Sequence, residues 1–472
     1  MQRQSRLYKT SFTQQSHHNN HIMKNSLRYF GATIFLFACL QVLASDIKVG
    51  IGRKVITPQN PIWLNGYASP ERAKPATGVA HDLWAKALVL EESPTSKVII
   101  VTTDILGLSH EIAEAVAKRL VEKYGITRSQ LLLNSSHTHS GPMIWPAAGM
   151  FDYGLEDMQA VYKYTQQLTD NIIAAVDMAM TSLTSMQVSS GHGTAFFARN
   201  RRAANLTYRP VDNDVPVLKI STPDGVVKAV LFGYACHNTT LYGNYMEVNG
   251  DYAGYAQIEL EKMYPGATAL FFQGCCGDID PGPRGNIDSA QKNGRELAIA
   301  VQSVLSGKLK PVQAPIRCSY ETMQLDFLPF DLAAYQKDMV GNDPFKQRRA
   351  KLMLQAYNKG WDVSHYTYPL QCVRFGNSLC VLAMAGEVVV DYSLWSKKMY
   401  PNENLFVAGY SNEVMCYIPS KRILQEGGYE ANSSMIYYVM PGPFADNVED
   451  KITTGIKRVM KTVGIKSSMK TQ

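Results

Sequence analysis

The sequence predicts a mixed α/β fold of layered β-sheets flanked by helices. Three observations carry this. Apolar runs of strand length alternate with segments of helical spacing, several runs are apolar enough to be buried on both faces, and no repeat or low-complexity linker divides the chain. A length of 472 residues allows several domains, but the missing linkers favour one domain over residues 45–472, preceded by a leader at 1–44. Hydrophobic content of 46% with 18% charged residues is that of an ordinary globular protein.

The leader has the organisation of an export signal. From Met23, a candidate start, a basic segment with Lys24 and Arg28 leads into an apolar run from Phe30 to Leu43, closing on Ala44 before Ser45. The run is too short for a membrane anchor, and Leu36-Phe37-Ala38-Cys39 is a poor lipoprotein site. Periplasmic or secreted localisation is expected. The leader also carries five bases and no acid, so the formal charge of +7 falls to 42 bases against 40 acids beyond it. Nothing in that balance implies a nucleic-acid partner.

Val49 to Ile56 alternates around Gly50 and Gly52 as a strand, and Asn65-Gly66-Tyr67 opens a loop. Leu83–Glu91 and Lys97–Thr103 form a hairpin across Glu92 to Ser96. Ser109 caps a helix to Tyr124 with Ile112, Val116 and Leu120 on one face. Asp157–Leu183, Tyr252–Tyr264 and Ile287–Leu305 have helical spacing, while Val215–Ile220, Ala229–Tyr234 and Ala267–Gln273 are strands. Residues 331–361 form a charged, exposed helical excursion. Gln371–Phe375 and Ser378–Met384 flank Gly376-Asn377 as a hairpin, followed by a helix to Tyr400, a strand Leu405–Tyr410, and loops to the end. Seven cysteines beyond the leader are an odd count for a disulfide framework, so most are expected as small buried residues.

Several of these strands end in reactive side chains, where a rigid sheet meets an accessible loop. Leu131-Leu132-Leu133 runs into His137-Thr138-His139, and Ala229–Ala235 into Cys236-His237. Ala269–Gln273 runs into Gly277-Asp278-Ile279-Asp280-Pro281, Leu379–Ala385 into Gly386-Glu387, and Leu405–Tyr410 into Ser411-Asn412 and on to Tyr417. If strand geometry continues past Leu133, His137 and His139 share a face, the raw material of a metal site; a hydrogen-bonded loop pair is the alternative.

These stretches, with Asn200-Arg201-Arg202, Gly250-Asp251-Tyr252 and Tyr429-Glu430, resemble the neutral/alkaline ceramidases, in family order from Val49 to Pro441. The resemblance implies the ceramidase catalytic-domain fold and one Zn2+ bound by His137, His237, Glu387 and Tyr417. It places His139, Arg201 and Tyr429 beside the substrate carbonyl as donors for an oxyanion. It also implies zinc-activated hydrolysis of an N-acyl amide of a ceramide-like lipid, with a substrate presented at a membrane surface compatible with that activity.

The chain departs from the family in three places. Asp280 stands where the ceramidases carry a serine, which removes a serine nucleophile but leaves zinc-activated water. Asp280 is then a general base, a contact for a substrate hydroxyl or amine, or an Asx turn before Pro281. Met143-Ile144-Trp145-Pro146 replaces small glycines and is expected to refill the pocket, with Trp145 able to stack on a sugar or an acyl chain. The carboxy-terminal β-sandwich of full-length ceramidases is missing. Hydrolysis of a glycan or glycoconjugate bond using Asp280 is therefore the alternative activity. A non-catalytic binding protein is the further alternative.

Overall fold

Leu131, Leu132 and Leu133 serve two different cores. Side chains alternate along a strand, so Leu131 and Leu133 face a helical layer while Leu132 faces inward. The computed structural model, which describes residues 47–146, 158–202 and 206–467, repeats this arrangement in three sheets. The export leader expected at 1–44 lies outside the described residues.

The first sheet orders Leu131–Ser135, Ser96–Thr103, Trp84–Ser93, Lys48–Val55 and Thr184–Ser185. The second orders Thr268–Gln273, Val227–Tyr234, Asp214–Ser221, Gln187–Thr194 and Lys310–Pro311. The third orders Ile316–Asp326, His365–Phe375, Leu379–Met384 and Leu405–Ala408. Their inner faces share one core, in which Ile100 and Leu132 meet Leu231, Leu270, Val381 and Phe406. Helices cover each outer face. His110–Tyr124 and Gln159–Thr181 pack on the first sheet, Asp251–Met263 and Ile287–Ser306 on the second, Val390–Met399 and Val448–Thr462 on the third.

Each sheet is antiparallel except for one parallel pair at its edge. Ser96–Thr103 runs parallel to Leu131–Ser135, Val227–Tyr234 to Thr268–Gln273, and Leu379–Met384 to Leu405–Ala408. Strands of a parallel pair release their carboxy-terminal loops at the same end. All three pairs do so around Asn134, the inward position after Leu132. Its Oδ1 accepts from the Gln273 N–H at 2.8 Å, and its Nδ2 donates to the Gly409 carbonyl at 2.9 Å and the Ser411 hydroxyl at 3.2 Å. One buried amide thus ties the first sheet to the ends of the other two.

Most elements appear where the sequence places them, including the Ser109 cap, whose Oγ accepts from the Ile112 N–H at 3.4 Å. The charged excursion forms the helices Leu332–Met339 and Pro344–Lys359. Three elements differ. Gln187–Thr194 is a strand despite Gly191 and Gly193, because a Cβ at either would meet Val304 at 2.9 and 2.7 Å where the helix Ile287–Ser306 packs down. Ile316–Asp326 is an eleven-residue edge strand whose exposed side is polar. The tail read as loops contains the helix Val448–Thr462, which buries Ile452, Ile456 and Val459 against the third sheet.

The seven cysteines among the described residues are unbridged thiols, six of them buried. Among the described residues no helix is long and apolar enough to cross a membrane.

Replacing Asn134 by leucine keeps the volume but leaves the Gln273 N–H buried without its acceptor and the Gly409 carbonyl with the Ser411 hydroxyl alone. Asn134→Leu is expected to lower stability by about 2–4 kcal/mol, measured by urea denaturation.

Candidate functional site

His137 and His139 face one point, but not through strand alternation. The strand ends at Ser135, and His137 has φ of +63°, a left-handed conformation uncommon for a non-glycine residue. The turn aims both rings inward, with their Nε2 atoms 3.1 Å apart. A bridge between Thr138 and Asn238 stitches this loop to the one carrying His237, and Asn238 Nδ2 donates to the Ser136 carbonyl at 2.5 Å. Gly66, with φ of +105°, floors the His139 ring; a Cβ there would meet it at 2.7 Å.

The remaining expected donors arrive from the other two sheets. Glu387 Oε2 lies 3.2 Å from His137 Nε2 and 3.0 Å from His237 Nε2, and the Tyr417 hydroxyl lies 3.4 Å from His237 Nε2. His137 Nδ1 is 2.6 Å from the Leu106 carbonyl, and His237 Nδ1 is 2.7 Å from the Cys276 carbonyl. A carbonyl only accepts, so both rings carry their proton on Nδ1 and turn an Nε2 lone pair to the centre. His139 differs: its Nδ1 is buried with no partner.

Burial, then the His137 and His237 rings, push the His139 imidazole well below its ordinary value; burial and Arg201 push His237 down. Burial acts to raise Glu387, but His137 and His237 hold it well below the carboxylate range. Two imidazole lone pairs and a carboxylate oxygen so close together repel one another until a cation sits among them. Ligands at about 2.0–2.1 Å in tetrahedral array lie about 3.3 Å apart, the spacing seen between these donors. His137, His139 and His237 alone already form a candidate metal-binding group. The residues present fit a metal ion.

Two tyrosines missed by the sequence reading complete the surround. The Tyr438 hydroxyl donates to Glu387 Oε1, leaving Oε2 for the centre, and the Tyr410 hydroxyl reaches Oε2 at 3.4 Å. Tyr438 sits in the apolar-looking run Met435-Ile436-Tyr437-Tyr438-Val439-Met440, which offered no signal.

A cavity of about 620 Å³ opens beside the donors, lined by His139, Arg201, Asp280, Tyr417 and Tyr429 among others. Arg201 donates to Asp280 at 3.2 Å, Glu430 at 2.9 Å, the Gly277 carbonyl at 2.7 Å and the Tyr417 hydroxyl at 3.1 Å. Tyr429 is half-exposed, its ring 5.6 Å from that guanidinium. Asp280 accepts from Arg201, Thr239 and Arg284, the last of which the sequence reading also passed over. Burial acts to raise its carboxyl, but Arg201, His237 and Arg284 hold it below the usual range. Met143, Ile144 and Trp145 do not refill this cavity. The first two are buried in the core beneath the first sheet, and Trp145 packs against that core.

A family description, "Neutral/alkaline non-lysosomal ceramidase, N-terminal", matches residues 47–313, more than half of the chain. The chain belongs to this family. The ceramidase match ends before Glu387 and Tyr417, but likeness to solved structures continues beyond it. The neutral ceramidase from Pseudomonas aeruginosa superposes with a TM-score of 0.70 at 18% identity, covering 90% of this chain and 76% of that one. A ceramidase complexed with C2 gives 0.70 at 17%, covering 90% and 77%. These likenesses show the ceramidase fold. In sequence, the neutral ceramidase of Drosophila melanogaster is 25% identical over 289 residues, 56% of this chain and 41% of that one. That of Pseudomonas aeruginosa is 24% identical over 289 residues, 56% and 42%. The chain spans about two fifths of the length of the curated relatives it matches.

Glu430 stands buried between Arg201 at 2.9 Å and Arg202 at 2.7 Å. Burial acts to raise its pKa, but the two guanidiniums hold it lower. A depressed folded value means that this stabilisation is complete above the unfolded value of about 4.3 and fades as pH falls through the folded one. Glu430→Gln is expected to cost about 2–4 kcal/mol at pH 7, with the gap to wild type closing in acid, measured by denaturation from pH 7 to 3.

Proposed function

We propose that this ceramidase-family chain is an exported zinc-dependent hydrolase of N-acyl amides, with ceramide-like lipids as the substrate its relatives' name indicates. The observation that carries the reading is the convergence of two carbonyl-fixed imidazoles, a carboxylate and a phenol beside an open cavity. Two neutral imidazoles with an oxygen donor suit zinc, and three protein ligands or four still leave room for a water or substrate oxygen. His137, His237, Glu387 and Tyr417 would hold the ion, which when bound supplies a Lewis acid that polarises a carbonyl and acidifies water.

The chain's own residues supply the rest. His139, neutral and on the cavity side of the centre, accepts or returns a proton at Nε2. Arg201 uses four of its five N–H groups on the protein, so one on Nη1 remains for a developing oxyanion, beside the Tyr429 hydroxyl. Asp280 is tied to two guanidiniums and held at low pKa, which makes it a weak base and an orienting group for Arg201. One observation favours the second reading, a glycan or glycoconjugate bond: among the described residues lining the cavity, Leu206 is the one aliphatic side chain.

Metal analysis and a substrate panel test this together. Purified protein should hold one zinc per chain and cleave an N-acyl sphingosine or a glycan amide, and a chelator should abolish cleavage. His137→Ala should lose both the zinc and at least about 10³-fold in rate; unchanged zinc content in that variant would sink the proposal. Tyr438→Phe, which removes the hydrogen bond orienting Glu387, should weaken zinc affinity about 10–100-fold in a competitive chelator titration without unfolding the chain.

A further inference from the structure

The charged wall of the cavity is a chain of alternating ion pairs, and one end of it is open. Arg202 pairs with Glu426 at 3.0 Å and Glu430 at 2.7 Å, and Arg201 pairs with Glu430 at 2.9 Å and Asp280 at 3.2 Å. At the Glu426 end the chain is closed by Arg422, which also pairs with Asp391 at 2.7 Å. At the other end Asp280 meets Arg284, which lines the same cavity and has no second carboxylate among the described residues.

The hydrogen-bond inventory makes the same distinction. Arg201 and Arg202 each commit four of five N–H groups to the protein. Arg284 commits one, to Asp280, and its Nε is buried away from water with no partner. A buried donor of a charged group left unpaired is costly and calls for an acceptor. The guanidinium is not free to swing out in search of one, because it lies over the Tyr242 ring at 4.9 Å. The cavity's other uncommitted groups, His139 Nδ1 and the Tyr429 hydroxyl, add donor capacity, whereas Asp280 already accepts from three groups.

We propose that Arg284 is a specificity-determining residue that binds an anionic oxygen group of the substrate, so that the amide hydrolysed carries a carboxylate or a comparable oxyanion. The substrate's anion takes the next place in the ion-pair chain and fills the vacant donors of Arg284. Asp280 divides its charge between Arg201 and Arg284, and Arg284 has no other carboxylate among the described residues. This rests on the zinc amide-hydrolase reading of the same cavity and, within N-acyl amides, favours one that carries an anionic group over ceramide, which carries none.

The test uses the full, zinc-loaded protein and two probes that differ only in charge, N-lauroylglycine and N-lauroylglycinamide. Calorimetry should show the carboxylate binding about 10–100-fold more tightly than the carboxamide, the range of a charge-assisted hydrogen bond. Arg284→Gln should remove that preference and Arg284→Lys should keep part of it, both retaining one zinc per chain as evidence of an intact fold. Equal binding of the two probes, binding of neither, or a preference that survives Arg284→Gln would each overturn the inference. Loss of zinc binding in the wild-type protein, or no amide cleaved by it, would instead count against the hydrolase reading. Ceramide cleavage without a carboxylate preference would leave that reading standing and defeat this one.

Discussion

Everything in this molecule depends on three parallel strand pairs ending at one place. In each pair, one strand delivers a candidate ligand and the loop after its neighbour delivers the group that orients it. His137 follows Leu131–Ser135 and is held by the Leu106 carbonyl beyond Ser96–Thr103. His237 follows Val227–Tyr234 and is held by the Cys276 carbonyl beyond Thr268–Gln273. Glu387 follows Leu379–Met384 and is approached by Tyr410 beyond Leu405–Ala408. Antiparallel neighbours would send the supporting group to the far end of the sheet. Asn134 fixes the three ends to one another with a single amide, so register within each sheet becomes geometry between ligands. That is how a site assembled from positions between His137 and Tyr417 keeps donor spacings of 3.0–3.4 Å.

The polar interior that results is stable only if its charges are matched. Strain marks the place: His137 and Tyr410, at the ends of two of the strands, both adopt positive φ, a conformation that surrounding structure must impose. Around them, Glu387 accepts from two phenols and sets Oε2 beside the Nε2 atoms of two imidazoles. The cavity wall solves the same problem differently, by alternating guanidinium and carboxylate so that most charges there have two partners.

Much of this was legible in the sequence because strands and helices obey their periods, and because His137, His237, Glu387 and Asp280 each follow an apolar strand. What periodicity misjudged was local. It placed His137 and His139 on one face by strand alternation, whereas a left-handed turn brings them together. Gly191 and Gly193 hid a strand because their lack of a side chain serves a helix 110 residues later in the chain. Tyr438 and Arg284 lie in segments whose composition carries no sign of chemistry; only tertiary contact gives them roles. Tyr417 and Tyr429 entered through family resemblance, since nothing in the spacing of tyrosines marks a ligand or a donor. Trp145 shows the reverse error, a conspicuous aromatic that serves the core.

The contacts of Asp280 say what a carboxylate does at this position that a hydroxyl would not. A hydroxyl could accept from one guanidinium, but it carries no charge and could not sit as an anion between two. With Asp280 present, Arg201 is pinned on one side by Glu430 and on the other by Asp280, which holds its Nη2 at 3.1 Å from the Tyr417 hydroxyl at the edge of the donor cluster. The same carboxylate anchors Arg284 at the cavity's far wall. Asp280 therefore couples the electrostatics of the far wall of the cavity to those of the donor cluster. A proton on Asp280 would weaken both contacts at once, and its two guanidiniums act to keep that proton off. The carboxylate thus builds a charge-matched wall in which Arg201 and Arg284 are held by one group.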